Sequence, residues 1–326
     1  MTEIQTVRGP IDSATIGVTL MHEHVFVLNS EFLENDPNWD EEARVADAIE
    51  QLGVFREIGV DTIVDPTCIG LGRYIPRIQR IAEQVDVQIV AATGIYTYGD
   101  MPFYFHFRSA ALTGGDHDPI VDYFVKDITE GIAGTGVKAG IIKCATEENG
   151  VTPAIERVLR AVAGAHRRTG VPITTHTHAG TERGLDQQRI FLEEGVDLRN
   201  VVIGHSGDTA DLDYLMKLMD AGSTIGMDRF GADVILPFEQ RVDTVAKLCE
   251  RGYADRMVLA HDASCFIDWF DPDLTEARKM MMPNWNFRHI HDDVLPALRE
   301  RGVTDAQIDQ MLVGAPRRIL EPVAPY

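Results

Sequence analysis

With 326 residues, 44% of them hydrophobic and 25% charged, the chain can bury a sizeable core and carries no low-complexity tract. Its formal net charge of −21 argues against nucleic acid or an anionic membrane as partner. No apolar run approaches the roughly 18–20 residues of a membrane span. The opening residues Met1-Thr2-Glu3-Ile4 lack the basic-then-apolar build of a signal peptide, so a cytoplasmic protein is expected.

In chain order, the first informative stretch is 19–26, Thr-Leu-Met-His-Glu-His-Val-Phe. As a β-strand it has a period of two, which points His22 and His24 to one face as a half-site for a metal such as zinc. Val45, Ala48, Ile49, Leu52 and Phe55 then form a helical stripe over 41–58, closed by Gly59. Residues 62–67 read as a buried strand stopped by Pro66, 75–83 as helix and 87–96 as strand. An aromatic connection, 97–119, leads to a helix at 121–133 and a strand at 139–145. Helices at 153–169, 187–194, 212–221 and 242–251 alternate with strands at 172–178, 201–205, 224–229 and 257–262. A long connection, 264–287, and helix-like segments finish the chain. The four cysteines, Cys68, Cys144, Cys249 and Cys265, are scattered and read as buried small hydrophobes.

These eight strands are near-continuously apolar, as expected for parallel strands covered on both faces. Eight βα units without an internal linker favour an α/β fold, a single-domain (β/α)₈ TIM barrel over 1–326, above an open doubly wound sheet. In such a barrel the C-terminal strand ends share one mouth. His22 and His24 from strand one, Lys143 from strand four, His176 from strand five, His205 from strand six and Asp262 from strand eight would meet there. Their joint placement points to a metal centre. Lys143 lies inside a buried strand, where desolvation favours the neutral amine. That amine can add carbon dioxide to become a carbamate bridging two cations; a lysine paired with Asp262 is the plainer alternative. Two cations roughly 3.5–4 Å apart can hold a hydroxide between them at neutral pH.

The set His22-Glu23-His24, Lys143, His176, His205 and Asp262 resembles the amidohydrolase superfamily. Together with Gly70-Leu71-Gly72-Arg73, Gly94-Ile95-Tyr96, Pro102-Phe103-Tyr104-Phe105, Asp186-Gln187-Gln188-Arg189, Gly226-Met227-Asp228-Arg229-Phe230-Gly231 and Ile267-Asp268-Trp269, it resembles the phosphotriesterase-like lactonases over about residues 9–318. The resemblance implies two divalent metals, zinc first, with cobalt, manganese or iron also suited to the ligand set. His22, His24 and Asp262 would hold the more buried ion and His176 and His205 the more exposed one. Carboxylated Lys143 would bridge both. It further implies Asp262 as acid/base, Tyr96 and Arg229 shaping and polarising a lactone pocket, and a homodimer. His178 is read as standing behind the ligands or as a polar pocket wall. Glu23 and His261 alternate away from the site, and His106, His117, His166, His289 and His291 receive no role.

The expected reaction is hydrolysis: hydroxide attacks an ester carbonyl, a lactone ring opens, and Asp262 manages the proton. The connection after strand eight holds Phe266, Trp269, Phe270, Met280, Met281, Met282, Trp285 and Phe287. It would line a channel for an acyl chain, with Trp269 and Phe266 as substrate contacts, or else pack on the barrel or a second subunit. N-acyl-homoserine lactones, and hence quenching of quorum signals, are the leading expectation. A primary organophosphate triesterase and a non-catalytic metal- or ligand-binding barrel are the alternatives.

Overall fold

The β-branched runs pair side by side, in parallel, because each is followed by a helix that returns the chain to the start of the next. The computed structural model describes residues 2–109, 112, 114, 118–270 and 280–326. A short antiparallel hairpin, β1 (Glu3–Thr6) and β2 (Gly9–Asp12), precedes the barrel. The staves are β3 (Thr19–Leu20), β5 (Thr62–Asp65), β6 (Gln88–Gly94), β7 (Ile141–Thr146), β8 (Ile173–Thr177), β9 (Val201–Ile203), β10 (Thr224–Met227) and β11 (Met257–Leu259). They run in the order β11-β10-β9-β8-β7-β6-β5-β3, all parallel, and the Met21 N–H donates to the Leu259 carbonyl across the seam. This is the expected TIM barrel.

The opening stretch is not one strand. It breaks at 21–23, and β4 (His24–Val27) leaves the barrel to pair in parallel with β12 (Ser264–Ile267). Several strands also end before the polar residues expected at their tips. Tyr96, His205, Arg229 and Asp262 all lie just beyond the ladders. For His205 and Asp262 the reason is the backbone: φ values of 57° and 54° cannot continue a strand.

The helices form where stripe and caps agree. Asp40 accepts from Ala43 N ahead of the helix Glu41–Ile58, and Gly59 closes it at φ 75°. Thr152 caps Pro153–Thr169 in the same way, and Gly170 ends it. The helix expected at 187–194 begins earlier, as Arg183–Glu193. Gly184 sits within it because the Tyr214 hydroxyl packs there, 2.7 Å from where a Cβ would stand.

Alternation along the staves builds two apolar layers. Ile142 and Cys144 pack outward against the helices, whereas Ile141 joins Met21, Val64, Val90, Val202 and Val258 inside the barrel. Lys143 shares the inward parity of Ile141, one level nearer the mouth. Close approach of β6 and β7 there demands a glycine. Gly94 has φ 134°, and a Cβ on it would lie 1.9 Å from the Lys143 carbonyl oxygen. Gly94→Ala is therefore expected to cost on the order of 1–3 kcal/mol in backbone strain alone. A thermal scan should show a lowered Tm; an unchanged one would mean that the end of β6 relaxes freely.

All four cysteines are free and buried. Among the described residues no helix is long and apolar enough to cross a membrane.

Candidate metal centre

All six residues expected to bind metal line one cavity at the barrel mouth. Lys143 and His176 reach it by inward parity on β7 and β8. The break between β3 and β4 brings in His22 and His24, and the left-handed turns after β9 and β11 bring in His205 and Asp262. Each such turn costs about 1–3 kcal/mol, and His and Asp are among the residues that tolerate it best. Asp262 is the hub. Its Oδ1 lies 3.4 Å from His22 Nε2 and 3.3 Å from His24 Nε2, and its Oδ2 lies 3.7 Å from His205 Nε2. Ligand atoms of His22, His205 and Asp262 lie within 4.8 Å of one another, the one such trio found among the described residues. Lys143 Nζ is 3.3 Å from His22 Nε2, and the His176 and His205 rings are 4.6 Å apart between centroids.

Lys143 is not the salt-bridge partner of Asp262. Its amine contacts His22 Nε2 and the Thr175 carbonyl, while Arg229 Nε donates to Asp262 Oδ2 at 2.9 Å.

The imidazoles are oriented from behind. Thr67 donates its hydroxyl proton to Asp65 (2.5 Å), so His24 Nδ1–H donates to Thr67 at 2.7 Å, with Nε2 turned toward Asp262. His205 Nδ1–H donates to Asp228 at 3.0 Å, which frees its Nε2. His176 Nε2–H donates to Glu147 at 3.1 Å, leaving Nδ1 toward Tyr96 and the cavity. His22 Nδ1 sits 3.3 Å from Asp228 Oδ2 without hydrogen-bond geometry and is a buried orphan. A carboxylate or hydroxyl behind each imidazole, with the second nitrogen aimed inward, is how proteins present histidine to a cation.

Electrostatics agree with that reading. Burial, with the Lys143 amine nearby, holds His22 below its ordinary value. Burial drops His176 to about 4, and burial together with the Arg229 charge puts His205 well below the usual range. All three are neutral at pH 7, as ligands must be. Burial likewise lowers the Lys143 amine, against the pull of Asp262 and Asp228. Burial alone would raise Asp262, but His22, His205, the bond from His24 and Arg229 together hold it well below the carboxylate range. His24 departs from the pattern. Burial opposes its protonation, yet Asp262 and Asp65 raise it to about 9, so a cation between His24 and Asp262 would displace a proton. The donor set therefore fits divalent metal: three neutral imidazoles, a fourth that exchanges a proton for the cation, an ionised aspartate and an amine pressed toward neutrality.

The cavity holds about 230 Å³. Tyr96 and Tyr98 stand over His176, their hydroxyls hydrogen-bonded to each other. Burial, helped by Tyr98, raises the Tyr96 phenol well above its usual value, so it stays a neutral donor. Arg229 also lines the cavity, fixed between Asp262 and Asp208, and Trp269 packs 6.1 Å from Tyr96. Phe266 is a correction to the sequence reading, since it is not among the lining residues. The β4–β12 register sets Ile267 beside Val27 in the cavity wall and Phe266 beside Phe26. Phe266 therefore packs on Trp39, with Arg44 stacked 4.0 Å from its ring centre.

His178 bonds Thr181 in the following turn and does not line the cavity. His166 is buried against the Val171 carbonyl and the Tyr326 hydroxyl, and His117 lies outside the described residues. Sequence reasoning missed Asp228, Glu147 and Asp65 behind the metal-capable residues, and Tyr98 in the wall, whereas Trp285 lies there as the channel reading of its connection expected. Asp228 carried the same signal as Asp262, an acidic residue just past a strand. Glu147 and Tyr98 come from connections whose path no local pattern foretells.

A model of the phosphotriesterase family matches residues 2–320. A protein named phosphotriesterase homology protein from Mycobacterium tuberculosis is 60% identical over 323 residues, 98% of each chain. An aryldialkylphosphatase from Saccharolobus solfataricus is 41% identical over 312 residues, covering 95% of this chain and 97% of its own. A solved structure described as the phosphotriesterase from Mycobacterium tuberculosis superposes with a TM-score of 0.96 at 59% identity, covering 99% of this chain and 100% of that one.

Proposed function

This chain belongs to the phosphotriesterase family, and from that premise we propose that it is a metal-dependent hydrolase whose preferred substrates are N-acyl-homoserine lactones. The observation that carries this reading is the division of the cavity. Its floor is the metal-capable cluster, and its walls include Val27, Leu71, Ile235, Ile267, Trp269, Phe270, Met282 and Trp285. A small polar ring joined to an apolar tail matches that division, with the ring over the floor and the tail along the wall.

His22, His24 and Asp262 would hold one cation, His176 and His205 another, with Lys143 as a carbamate between them; zinc, cobalt, manganese and iron all suit the set. Bound cations supply Lewis acidity to an ester carbonyl and a water nucleophile active at neutral pH. The protein does the rest. Tyr96 keeps its proton and offers it to the carbonyl oxygen, where charge develops. Asp262, ionised before reaction, accepts a proton at its carboxylate and returns it to the leaving ring oxygen. Arg229, anchored on Asp208, keeps the Asp262 carboxylate turned toward the floor. A cytoplasmic homodimer that quenches acyl-lactone signals completes the proposal.

The second reading, a primary aryldialkylphosphatase, is favoured by the activity named for the Saccharolobus solfataricus relative. One metal-loaded preparation, assayed with an acyl-homoserine lactone and with an aryl dialkyl phosphate, separates the two. The lactone is expected to show the higher kcat/KM. Faster triester hydrolysis would sink the lactonase reading, and no turnover of either substrate would leave a binding barrel.

A further inference from the structure

Glu23, between the two histidines of the opening stretch, points away from the cavity and has 0% exposure. Its carboxylate nevertheless grips the segment that carries Asp262. Oε1 accepts from the His261 backbone N–H at 2.8 Å and from His261 Nδ1–H at 2.6 Å, and Oε2 accepts from the Ala263 N–H at 3.2 Å. The backbone closes the rest of the joint. The Asp262 N–H donates to the His22 carbonyl at 3.1 Å, and the His24 N–H donates to the Ala263 carbonyl at 2.8 Å. All three N–H groups of 261–263 thus end on residues 22–23, and two of them end on one carboxylate.

We infer that Glu23 is the positioning residue of the metal-capable cluster, locking Asp262 in its left-handed turn and, through His261, seating Trp285 in the cavity wall. The Asp262 backbone has φ 54°, a conformation that persists only when its surroundings over-determine it. Glu23 supplies that constraint from both sides of Asp262 without touching its side chain, whose oxygens stay free for His22, His24 and Arg229. With Nδ1–H given to Glu23, His261 Nε2 accepts from the Ile290 N–H at 3.0 Å, and the His261 carbonyl accepts from Trp285 Nε1 at 2.9 Å. One buried carboxylate therefore ties the first strand's ligands, the last strand's ligand and an aromatic wall residue into a single frame. A carboxylate that merely filled a buried space would have no reason to straddle the strained residue.

The inference rests on Asp262 serving a metal site, and cobalt(II) titration of the metal-free unsubstituted chain tests that premise separately. Glu23→Gln keeps the volume but turns one accepting oxygen into a donor, so a flanking N–H is left facing another donor. Cobalt(II) affinity is expected to fall about 10- to 100-fold, with an altered visible spectrum and a larger loss in kcat than change in KM. His261→Asn, which keeps a donor toward Glu23, should retain most of the affinity that His261→Ala loses. If E23Q only lowers Tm, and binds cobalt with unchanged affinity and spectrum, Glu23 is structural and the inference is wrong. Should E23Q fail to fold, equal cobalt affinity in H261N and H261A overturns it. Failure of the unsubstituted chain to bind cobalt would remove the metal premise itself.

Discussion

Asp262→Asn is expected to leave the barrel folded and to lower kcat by about 10²- to 10⁴-fold, the usual contribution of a positioned acid/base. The substitution preserves shape and the bond from Arg229, since the amide oxygen can still accept from its Nε. It removes the negative charge on which His22, His24 and His205 converge at 3.3–3.7 Å. It also removes the carboxylate proposed to take up and return a proton. Circular dichroism and a thermal scan should show the native fold, while turnover of whichever ester the enzyme prefers collapses. Near-normal turnover would overturn the acid/base assignment, whatever the substrate proves to be.

Lys143→Met is expected to separate stability from activity. The side chain is buried at 1% exposure and, among the described residues, makes two long polar contacts, at 3.3 Å each. Burial already presses the amine toward its neutral form, so exchange for an apolar chain of similar length should change the Tm of the metal-free protein little. Activity should fall at least as far as in the Asp262 variant, because no bridging oxygen ligand can then form. Metal analysis should find fewer than two ions per chain. A variant that keeps two ions and turns over normally would show that Lys143 is no ligand.

The two substitutions bear on how the site reads from sequence. Each metal-capable residue except Asp262 is a histidine or lysine embedded in an apolar, β-branched run, and such a residue stands out against its neighbours. The helical stripe ending at Gly59 and the regular alternation of runs and helices carried the barrel in the same direct way. Phe266 shows where that legibility stops. Its aromatic neighbours suggested a pocket wall, yet the register of β12 on β4 decides which side of that strand faces substrate, and no residue in 264–287 announces the register. Glu23 shows the same limit from the other side. Parity correctly turned it away from the cavity, but its bonds to residues 238 and 240 positions later exist only once the barrel closes.

The amino-acid sequence by itself determined the barrel and the identity of the six metal-capable groups, because both follow from local periodicity and from which strand tips carry polar side chains. Tertiary structure alone decided where the opening strand breaks, which imidazole nitrogen faces inward, that Asp228 and Glu147 stand behind the metal-capable residues, and that Trp285 rather than Phe266 joins the wall. Those choices depend on distances between segments far apart in the chain. Their energies are set by burial and by hydrogen bonds across the closed barrel, which no local pattern contains.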